Sequence, residues 1–262
     1  MSRRKIHEAY HKETKSQNKV INDKNFTYRL LLDVLKRKIS SRKLKILDIG
    51  CGAGTICFYL ASRGHDITGI DISQKAVNEC RRSAKQLGIN AAEFIRLDFP
   101  REKLKNRKYD IVILTEVIEH IEDDYLAIKE ISRLLKPNGL LVLSTPSINA
   151  PLHKLGLTDE FDKRVGHLRR YSLLELKKIL LTNNFRIEEI EKTEGILRNF
   201  LFVNPYAGYL VRIINHFGSN FATFLDDISL KLLGESNYII VAKTYRDWET
   251  KRKLRKIGRA HV

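Results

Sequence analysis

The stretch Lys45-Ile-Leu-Asp-Ile-Gly-Cys-Gly-Ala-Gly-Thr55 decides the fold. It begins as a short apolar run, breaks into closely spaced glycines and continues as an apolar segment with helical spacing. This order predicts a strand, a tight turn and a helix. Glycines let a ligand lie against bare main chain, and free N–H groups at a helix N-terminus attract oxygen-rich groups. The stretch predicts a nucleotide-like ligand, although taken alone it also fits a turn that binds nothing.

Strands and helices alternate outward from this turn. The pattern predicts strands at 45–49, 65–71, 92–98, 109–115, 140–145, 185–192 and 238–243. The run 109–115 is nearly all apolar, as expected for a strand buried on both faces of a parallel sheet. The alternation therefore predicts a doubly wound α/β fold, whose ligand lies at the carboxyl ends of the strands.

Helices and loops are predicted between these strands. A helix at 122–135 ends in the turn signal Lys136-Pro-Asn-Gly139, and Ser172-Leu-Leu-Glu175 is a capping box. Residues 146–170 read as loop, and 196–236 as apolar and amphipathic helices inserted before the last strand.

The chain divides into three parts by composition. A basic N-terminal extension with an amphipathic helix covers 1–43, a core domain covers 44–245, and a basic tail covers 246–262. The end of the tail, Ile257-Gly-Arg-Ala-His-Val262, resembles the translation of a sequencing-adapter oligonucleotide. We interpret 257–262 as a possible artefact and base no functional argument on it.

The positive charge is concentrated at the two ends. The net charge is +17, and residues 1–45 hold 14 basic against 4 acidic side chains. Residues 243–262 hold 8 against 2, which leaves 26 against 25 between the two ends. Basic ends can meet phosphate or anionic lipid or can simply be solvated, so the charge does not itself identify a nucleic-acid-binding protein.

Cysteine usage and the N-terminus predict a cytoplasmic protein. Cys51, Cys57 and Cys80 form no Cys-x-x-Cys pair, so neither a disulfide framework nor a zinc site is expected. Residues 1–5 lead into polar sequence rather than a secretory signal. The most apolar long window, 196–217, is too interrupted to span a bilayer but could lie on one, which leaves peripheral membrane contact open.

Two acids at strand ends join the glycine turn. Asp71 lies 21 positions past Gly50, the separation at which an acid can bind both hydroxyls of a ribose. Asp98 ends the third strand, where it can accept from an exocyclic amine such as that of adenine. A dinucleotide fingerprint would place a small residue at position 55, where this chain has Thr55, and its third glycine comes one residue early. NAD is therefore disfavoured.

Several motifs together carry a family resemblance: Leu47–Gly54, Gly69-Ile-Asp71, Leu97-Asp98, Asp110–His120 and Leu134-Leu-Lys-Pro-Asn-Gly139. This set resembles the class I S-adenosylmethionine-dependent methyltransferases, in particular their ubiquinone-biosynthesis-like branch (methyltransferase type 11). The resemblance covers about residues 44–193. It implies a Rossmann-like, seven-stranded, mostly parallel sheet, with 44–245 as the methyltransferase domain.

The resemblance also implies how S-adenosylmethionine binds. The glycine turn would hold its methionine part, Asp71 its ribose, and Asp98 with Phe99 its adenine. The residues implied to contact this cofactor are Asp48, Gly50, Cys51, Gly52, Gly54, Asp71, Ile72, Asp98, Phe99 and Thr115.

Candidate catalytic residues follow the fourth strand. Methyl transfer to a hydroxyl needs alignment of donor and acceptor and removal of a proton. Glu116, Glu119 and His120 lie at i, i+3 and i+4, so a helical turn would place them on one face, and His167 comes from the loop after the fifth strand. We name His120, His167 and Glu116 as catalytic candidates.

The same four side chains could instead hold Mg²⁺ or another divalent ion that binds a diol and lowers its pKa. The resemblance includes polyprenyl-catechol O-methyltransferases and small-RNA 2′-O-methyltransferases, which share Glu-x-x-Glu-His and a later His. We favour the interpretation without a metal, because the Glu-His segment also occurs in family members that have no metal role.

The insertion at 196–236 is the main clue to the acceptor. Its aromatic and aliphatic side chains predict a lid over a hydrophobic acceptor or a membrane-facing surface, and alternatively a sheet cover or a dimer interface. We therefore predict O-methylation of a small, hydrophobic, hydroxylated molecule. The alternatives are a metal-dependent RNA 2′-O-methyltransferase and a non-catalytic adenosyl- or RNA-binding protein.

Overall fold

The computed structural model describes residues 16–39, 42–104, 107–204 and 206–245. The basic tail predicted at 246–262 and the first 15 residues of the N-terminal extension lie outside these described residues. No helix in the described residues is long and apolar enough to cross a membrane.

One sheet forms the centre of the described chain. Its strands are β1 (Lys45–Ile49), β2 (Asp66–Asp71), β3 (Ala92–Arg96), β4 (Tyr109–Thr115), β5 (Leu135–Pro146), β6 (Phe185–Thr193) and β7 (Asn237–Thr244). They lie in the order β3-β2-β1-β4-β5-β7-β6. Neighbouring strands among β1 to β5 are parallel, and β7 runs antiparallel to both β5 and β6. The predicted seven-stranded, mostly parallel sheet is confirmed.

Helices cover both faces of this sheet. They are α1 (Arg29–Lys38), α2 (Thr55–Ala61), α3 (Gln74–Leu87), α4 (Asp124–Leu134), α5 (Pro151–Lys154), α6 (Asp159–Val165), α7 (Leu173–Thr182), α8 (Ile196–Val203), α9 (Gly208–Ile213) and α10 (Ser219–Leu233). Ser73 caps α3 by accepting from the Ala76 N–H. The capping box that starts α7 forms as predicted, with Ser172 and Glu175 bonding each other's main chain.

Two local predictions were wrong. Residues 136–139 lie inside β5 rather than in a separate turn, because β5 pairs with Tyr109 through Leu135 and with Ile111 through Leu140. The residues of β5 between these two pairs form a bulge-like irregularity in the strand pairing, and Asn138 in it has φ +62°. The segment 146–170, predicted as loop, contains the short helices α5 and α6.

The N-terminal segment packs against the insertion. The Phe26 N–H donates to Asn215 Oδ1 at 2.7 Å, and Ser219 Oγ donates to the Lys24 carbonyl at 2.5 Å. Phe26 is fully buried in a cluster with Leu201, Ala207 and Ala222. These two distant parts of the chain therefore form one layer beside the carboxyl ends of the central strands.

Candidate active site

A cavity of about 650 Å³ opens where β1, β2 and β4 end and β7 begins. The glycine turn and the end of β2 form one side. The opposite side includes Phe161 and Val165 of α6 and Phe202 and Val203 at the end of α8. The cavity therefore joins a polar main-chain cradle to apolar walls, as expected for a site that takes two ligands.

The glycine turn depends on left-handed backbone. Gly50, Gly52 and Gly54 have φ values of +74°, +51° and +76°, a region that other residues rarely adopt. A Cβ on Gly50 would also lie only 2.4 Å from Val117 Cγ2. Any side chain at this position would thus both strain the turn and displace the segment after β4.

Asp71 ends β2 beneath this turn. One of its carboxylate oxygens accepts from the Gly52 N–H at 2.9 Å and the other from the Ser73 N–H at 2.8 Å. Each carboxylate oxygen has a second lone pair, so the fixed carboxylate can still accept one ribose hydroxyl per oxygen. This geometry fits the ribose role implied by the resemblance.

Asp48 lies at the base of the cavity. Its side chain is buried and accepts a hydrogen bond from Cys57 Sγ at 3.2 Å. Burial, reinforced by the nearby Asp71 charge and opposed by the Cys57 hydrogen bond, raises the pKa of Asp48 to about 6.

Most residues predicted to contact the cofactor line the same cavity. They are Asp48, Gly50, Cys51, Gly52, Asp71, Ile72, Phe99 and Thr115. Gly54 is instead the N-cap of α2, where a Cβ would meet Phe58. The partly buried Asp98 lies just before Phe99 and is bound through its main chain to Glu102. The structure brings the glycine turn and Asp71 together, whereas Gly54 and Asp98 are set back from the wall.

Glu116 does not share a helical face with Glu119 and His120. It has φ +55°, and only Ile118–His120 form a short 3₁₀ turn. Glu116 accepts from Ser144 Oγ at 2.6 Å and from Asn237 Nδ2 at 2.9 Å, so its side chain is tied to β5 and β7. The predicted four-residue cluster therefore assembles without Glu116.

The two histidines meet at the cavity wall. His120 Nδ1 lies 3.0 Å from the Gly166 carbonyl, and His167 Nδ1 lies 2.8 Å from Asp162 Oδ1. Oxygen acceptors place the proton on Nδ1 of both rings, which leaves a lone pair on each Nε2. The ring centroids are 4.8 Å apart. In its neutral form, each ring can therefore act as a base or a metal ligand through Nε2.

Asp162 anchors His167 through a charged partner. Arg170 donates to both of its carboxylate oxygens, at 2.8 and 2.7 Å. Although partial burial raises the pKa of Asp162, hydrogen bonds from His167 and Arg170 hold it well below its usual range. The carboxylate therefore stays charged and fixes the tautomer of His167.

Glu119 lies behind the histidines and is 0% exposed. Oε2 accepts from Thr145 Oγ1 at 3.0 Å, and Oε1 lies 3.9 Å from His167 Nε2. Oε1 has no hydrogen-bond partner among the described residues. Burial and then the nearby Glu116 charge raise the pKa of Glu119 well above its usual range.

Glu119, His120 and His167 offer a donor set for a divalent ion. One ligand atom from each lies within 4.8 Å of the others. Imidazole nitrogens whose other N–H is hydrogen-bonded, together with a buried carboxylate oxygen, are typical metal ligands. These three residues fit a metal ion. The observation that supports the fit is the buried Glu119 Oε1 atom, which has no hydrogen-bond partner among the described residues.

Three further cavity residues were missed by the sequence analysis. Glu194 follows β6 with φ +57°, Asn199 belongs to α8, and Ser236 precedes β7. Burial, and then the Glu116 charge, raise the pKa of Glu194 to about 8. An acid followed by glycine at a strand end was the available signal for Glu194. No signal in the sequence indicated Asn199 or Ser236, because the position of the insertion relative to the sheet was unknown.

Comparisons with known proteins agree with this geometry. A family model described as "Methyltransferase domain" matches residues 40–195. A ubiquinone biosynthesis O-methyltransferase of Rickettsia conorii is 32% identical over 187 residues, covering 65% of this chain and 61% of that protein. A protein of the same name from Bradyrhizobium diazoefficiens is 30% identical over 200 residues, covering 76% and 71%. The chain thus spans less than two thirds of the Rickettsia conorii relative.

Solved structures share the fold. Phosphoethanolamine N-methyltransferase 2 of Haemonchus contortus, in complex with S-adenosyl-L-methionine, has a TM-score of 0.62 at 17% identity, covering 84% of this chain and 53% of that one. An S-adenosylmethionine-dependent methyltransferase of Mesorhizobium loti has a TM-score of 0.59 at 18% identity, covering 80% and 96%. At such identities the likeness concerns the fold alone. Taken with the matching family model, the relatives and the glycine turn beside Asp71, it leads to one conclusion: the chain belongs to the class I S-adenosylmethionine-dependent methyltransferases.

Proposed function

We propose that this protein transfers the methyl group of S-adenosylmethionine to a hydroxyl of a small, largely apolar acceptor. The observation that carries the proposal is a single cavity that contains the glycine turn with Asp71 and also the histidine pair between apolar walls. The relatives named ubiquinone biosynthesis O-methyltransferase support an oxygen acceptor.

The donor would lie along the turn. Gly50 to Gly52 provide bare main chain for the methionine part, and Asp71 accepts the ribose hydroxyls. Phe99 supplies an apolar wall for the adenine, and Asp98 next to it remains a candidate acceptor for the exocyclic amine. Thr115 and Cys51 line the same cavity beside the turn.

His167 is the base that the geometry favours. Asp162 holds its Nδ1–H, so Nε2 can accept a proton from the acceptor hydroxyl. When bound, S-adenosylmethionine would supply the methyl group to the hydroxyl oxygen and leave as S-adenosylhomocysteine, while His167 Nε2 would take the hydroxyl proton. His120, anchored on the Gly166 carbonyl, helps to orient the acceptor.

A divalent ion is a second candidate for activating the hydroxyl. Glu119, His120 and His167 would hold it, and when bound it would lower the pKa of the hydroxyl. Dialysis against a chelator separates the two candidates. Catalysis by His167 alone predicts unchanged activity, whereas a required ion predicts loss of activity and its return with Mg²⁺ or another divalent ion.

The outer face of α10 supports contact with a membrane surface. Its exposed apolar residues recur at helical spacing: Phe221, Phe224, Leu225, Ile228 and Leu232. A helix that keeps such a stripe in solvent is typical of interfacial helices. A lipid-soluble acceptor could then reach the cavity from the bilayer.

Replacing Asp71 with Ala tests the donor assignment. We expect S-adenosylmethionine binding to weaken at least about 100-fold by calorimetry, because two hydrogen bonds to a charged group are lost. Asp66→Ala is the matched control, since Asp66 begins the same strand and pairs with Lys43 on the surface. Equal affinities in both variants would refute the assignment. Labelled cofactor with separate lipid, small-metabolite and RNA fractions then identifies the acceptor class and tests the RNA alternative.

A further inference from the structure

One end of the cavity carries a polar cluster that the proposed methyl transfer does not use. Glu194, Asn199 and Ser236 come from the turn after β6, from α8 and from the residue before β7. Ser236 follows the other two by 37 positions or more in sequence, yet all three line the cavity. Asn199 is 7% exposed and Ser236 1% exposed.

Two atoms of this cluster lack partners. Asn199 Oδ1 and Ser236 Oγ are buried and have no hydrogen-bond partner in the described part of the chain. A buried polar group without a partner costs folding free energy. Two such atoms in the wall of one cavity point to a ligand that supplies the missing hydrogen bonds.

The cluster is held rigidly in place. Glu194 takes φ +57°, which is a strained conformation for a residue with a side chain. Its carbonyl accepts from the Ser236 N–H at 2.8 Å. Asp226 accepts from the Gly195 N–H at 3.1 Å and from the Arg198 N–H at 2.7 Å, which fixes the start of α8. Such support is typical of a preorganised binding site.

Charge around the cluster disfavours an anionic ligand group. Burial, and then the Glu116 charge, raise the pKa of Glu194 to about 8, with Arg198 opposing, so its carboxyl is mostly neutral at pH 7. The Glu116 carboxylate disfavours an anion at this end of the cavity. The fully buried Arg198 guanidinium behind the cluster is already paired with Asp226.

The hydrogen-bonding capacity of Asn199 and Ser236 further limits which chemical group of a ligand could bind there. Asn199 Oδ1 can only accept, so the ligand must donate to it. The Ser236 hydroxyl can donate in return. A ligand hydroxyl can donate to Asn199 Oδ1 and accept from Ser236 Oγ, whereas a carbonyl cannot donate and an ammonium cannot accept.

We propose that Asn199, Ser236 and Glu194 form a subsite for a second, uncharged hydroxyl of the methyl acceptor. The inference rests on the proposed function and adds to it a requirement on the acceptor. One hydroxyl of the acceptor reacts beside His167, and another anchors the molecule at this second subsite, with an apolar portion between them.

Four compounds that differ in one terminal group provide the test. They are 4-ethylcatechol, 2-(3,4-dihydroxyphenyl)ethanol, dopamine and 3,4-dihydroxyphenylacetate, which end in a methyl, a hydroxyl, an ammonium and a carboxylate. Calorimetry measures their binding to the protein loaded with S-adenosylhomocysteine. We expect the alcohol to bind about tenfold more tightly than 4-ethylcatechol, and the charged compounds to bind more weakly than the alcohol.

Matched variants assign this preference to the subsite. Ser236→Ala and Asn199→Leu should each reduce the advantage of the alcohol to below about twofold, without lowering the urea midpoint, because each removes an unpaired buried atom. Thr244→Val is the control. Thr244 Oγ1 is also buried and unpaired among the described residues, but it lies at the other end of β7, away from the cavity. This variant should keep the tenfold preference.

Several results would overturn the subsite. They are equal binding of the alcohol and 4-ethylcatechol, no binding of either, tightest binding of a charged compound, or a preference that survives in both variants. The loading step separates the two proposals. Failure to bind S-adenosylhomocysteine would overturn the proposed function together with the subsite, whereas normal loading without the preference would overturn the subsite alone.

Discussion

At the scale of single residues, Asp48 at the base of the cavity makes the stability of the protein depend on pH. An acid whose pKa is raised by folding, from 3.8 to about 6, binds its proton more tightly in the folded state. Its contribution to stability is therefore lost as pH rises through the window from about 4 to about 7. Replacing Asp48 with Asn should remove this pH-dependent loss, which lowers the free energy of unfolding by up to about 3 kcal/mol. Urea unfolding at pH 4.5 and 7.5 measures the difference between variant and wild type.

Asp110 provides a control of opposite sign. Partial burial raises its pKa, but hydrogen bonds from Lys136 at 2.8 Å and from the Lys45 N–H at 2.9 Å lower it overall. Its contribution to stability is present at neutral pH and lost as pH falls through the folded pKa. Asp110→Asn should therefore cost most at pH 7.5. A shift of the same sign in both variants would contradict the assignment to Asp48.

His167 carries the prediction about chemistry. We expect His167→Gln to lower kcat by about 10²- to 10⁴-fold, the usual contribution of a general base. The affinity for S-adenosylmethionine should stay within about twofold, because we propose that the donor binds at the glycine turn rather than at His167. Steady-state kinetics and calorimetry measure the two effects.

His153 is the matched control for His167. His153 lies before α6, and His167 lies after it. The Nδ1 atom of His153 contacts Thr158 Oγ1 at 3.0 Å rather than the cavity. His153→Gln should leave kcat unchanged. Equal losses in the two variants would mean that the histidines only stabilise this segment.

At the scale of elements, a buried ion pair joins α8 to α10 and to the N-terminal segment. Arg198 is fully buried, contacts Asp226 at 3.2 Å, donates to the Phe26 carbonyl and lies over the Phe26 ring. Removing one partner leaves an uncompensated buried charge. We expect Arg198→Met to lower the free energy of unfolding by about 3 to 5 kcal/mol in urea titrations.

The control is a second arginine that bridges the same two parts of the chain. Arg29 donates to Asn220 Oδ1 at 2.7 Å, but this contact is exposed. Arg29→Met should cost less than about 1 kcal/mol, because exposed polar contacts contribute little. If both variants cost the same, the burial of Arg198 would not explain its effect.

The same elements show how far the sequence could predict. Strands and helices with a regular apolar pattern were placed within a few residues, because burial on the sheet dictates that pattern. The 136–139 segment was misassigned, since a bulge and a turn use the same residue types. The contact between Phe26 and Arg198 joins residues 172 positions apart, and no local pattern encodes it.

The residues of the candidate site were likewise predicted from the sequence only in part. Gly50 and Gly52 lie in the turn after β1 and Asp71 ends β2, so the sheet brings them together and sequence spacing predicted them. Glu116 left the predicted cluster because its left-handed backbone prevents a helical turn. Asn199 reaches the cavity through packing of the insertion, and Ser236 does so because β7 runs antiparallel to β5 and begins where β5 ends.

At the scale of the whole molecule, the stripe on α10 predicts membrane association. We expect the protein to sediment with vesicles of phosphatidylcholine and phosphatidylglycerol. Phe221→Ser/Phe224→Ser should reduce the bound fraction severalfold, because two large exposed apolar side chains are lost.

Leu174→Ser/Leu181→Ser is the control, since these leucines are exposed on α7. This variant should bind vesicles like the wild type. If neither pair affects vesicle binding, analytical ultracentrifugation would show whether the α10 stripe forms a contact between copies of the chain.

The approach of Gly50 to Val117 has a consequence for changing this enzyme. The residue that shapes the donor cradle touches the segment that leads to Glu119 and His120, with no room for a single methyl group between them. An in-line displacement tolerates little error in the distance between its two reacting atoms. This junction therefore couples the glycine turn to the segment that carries Glu119 and His120. Attempts to widen acceptor range should begin at the far walls, because enlarging this junction would move both halves of the reaction at once.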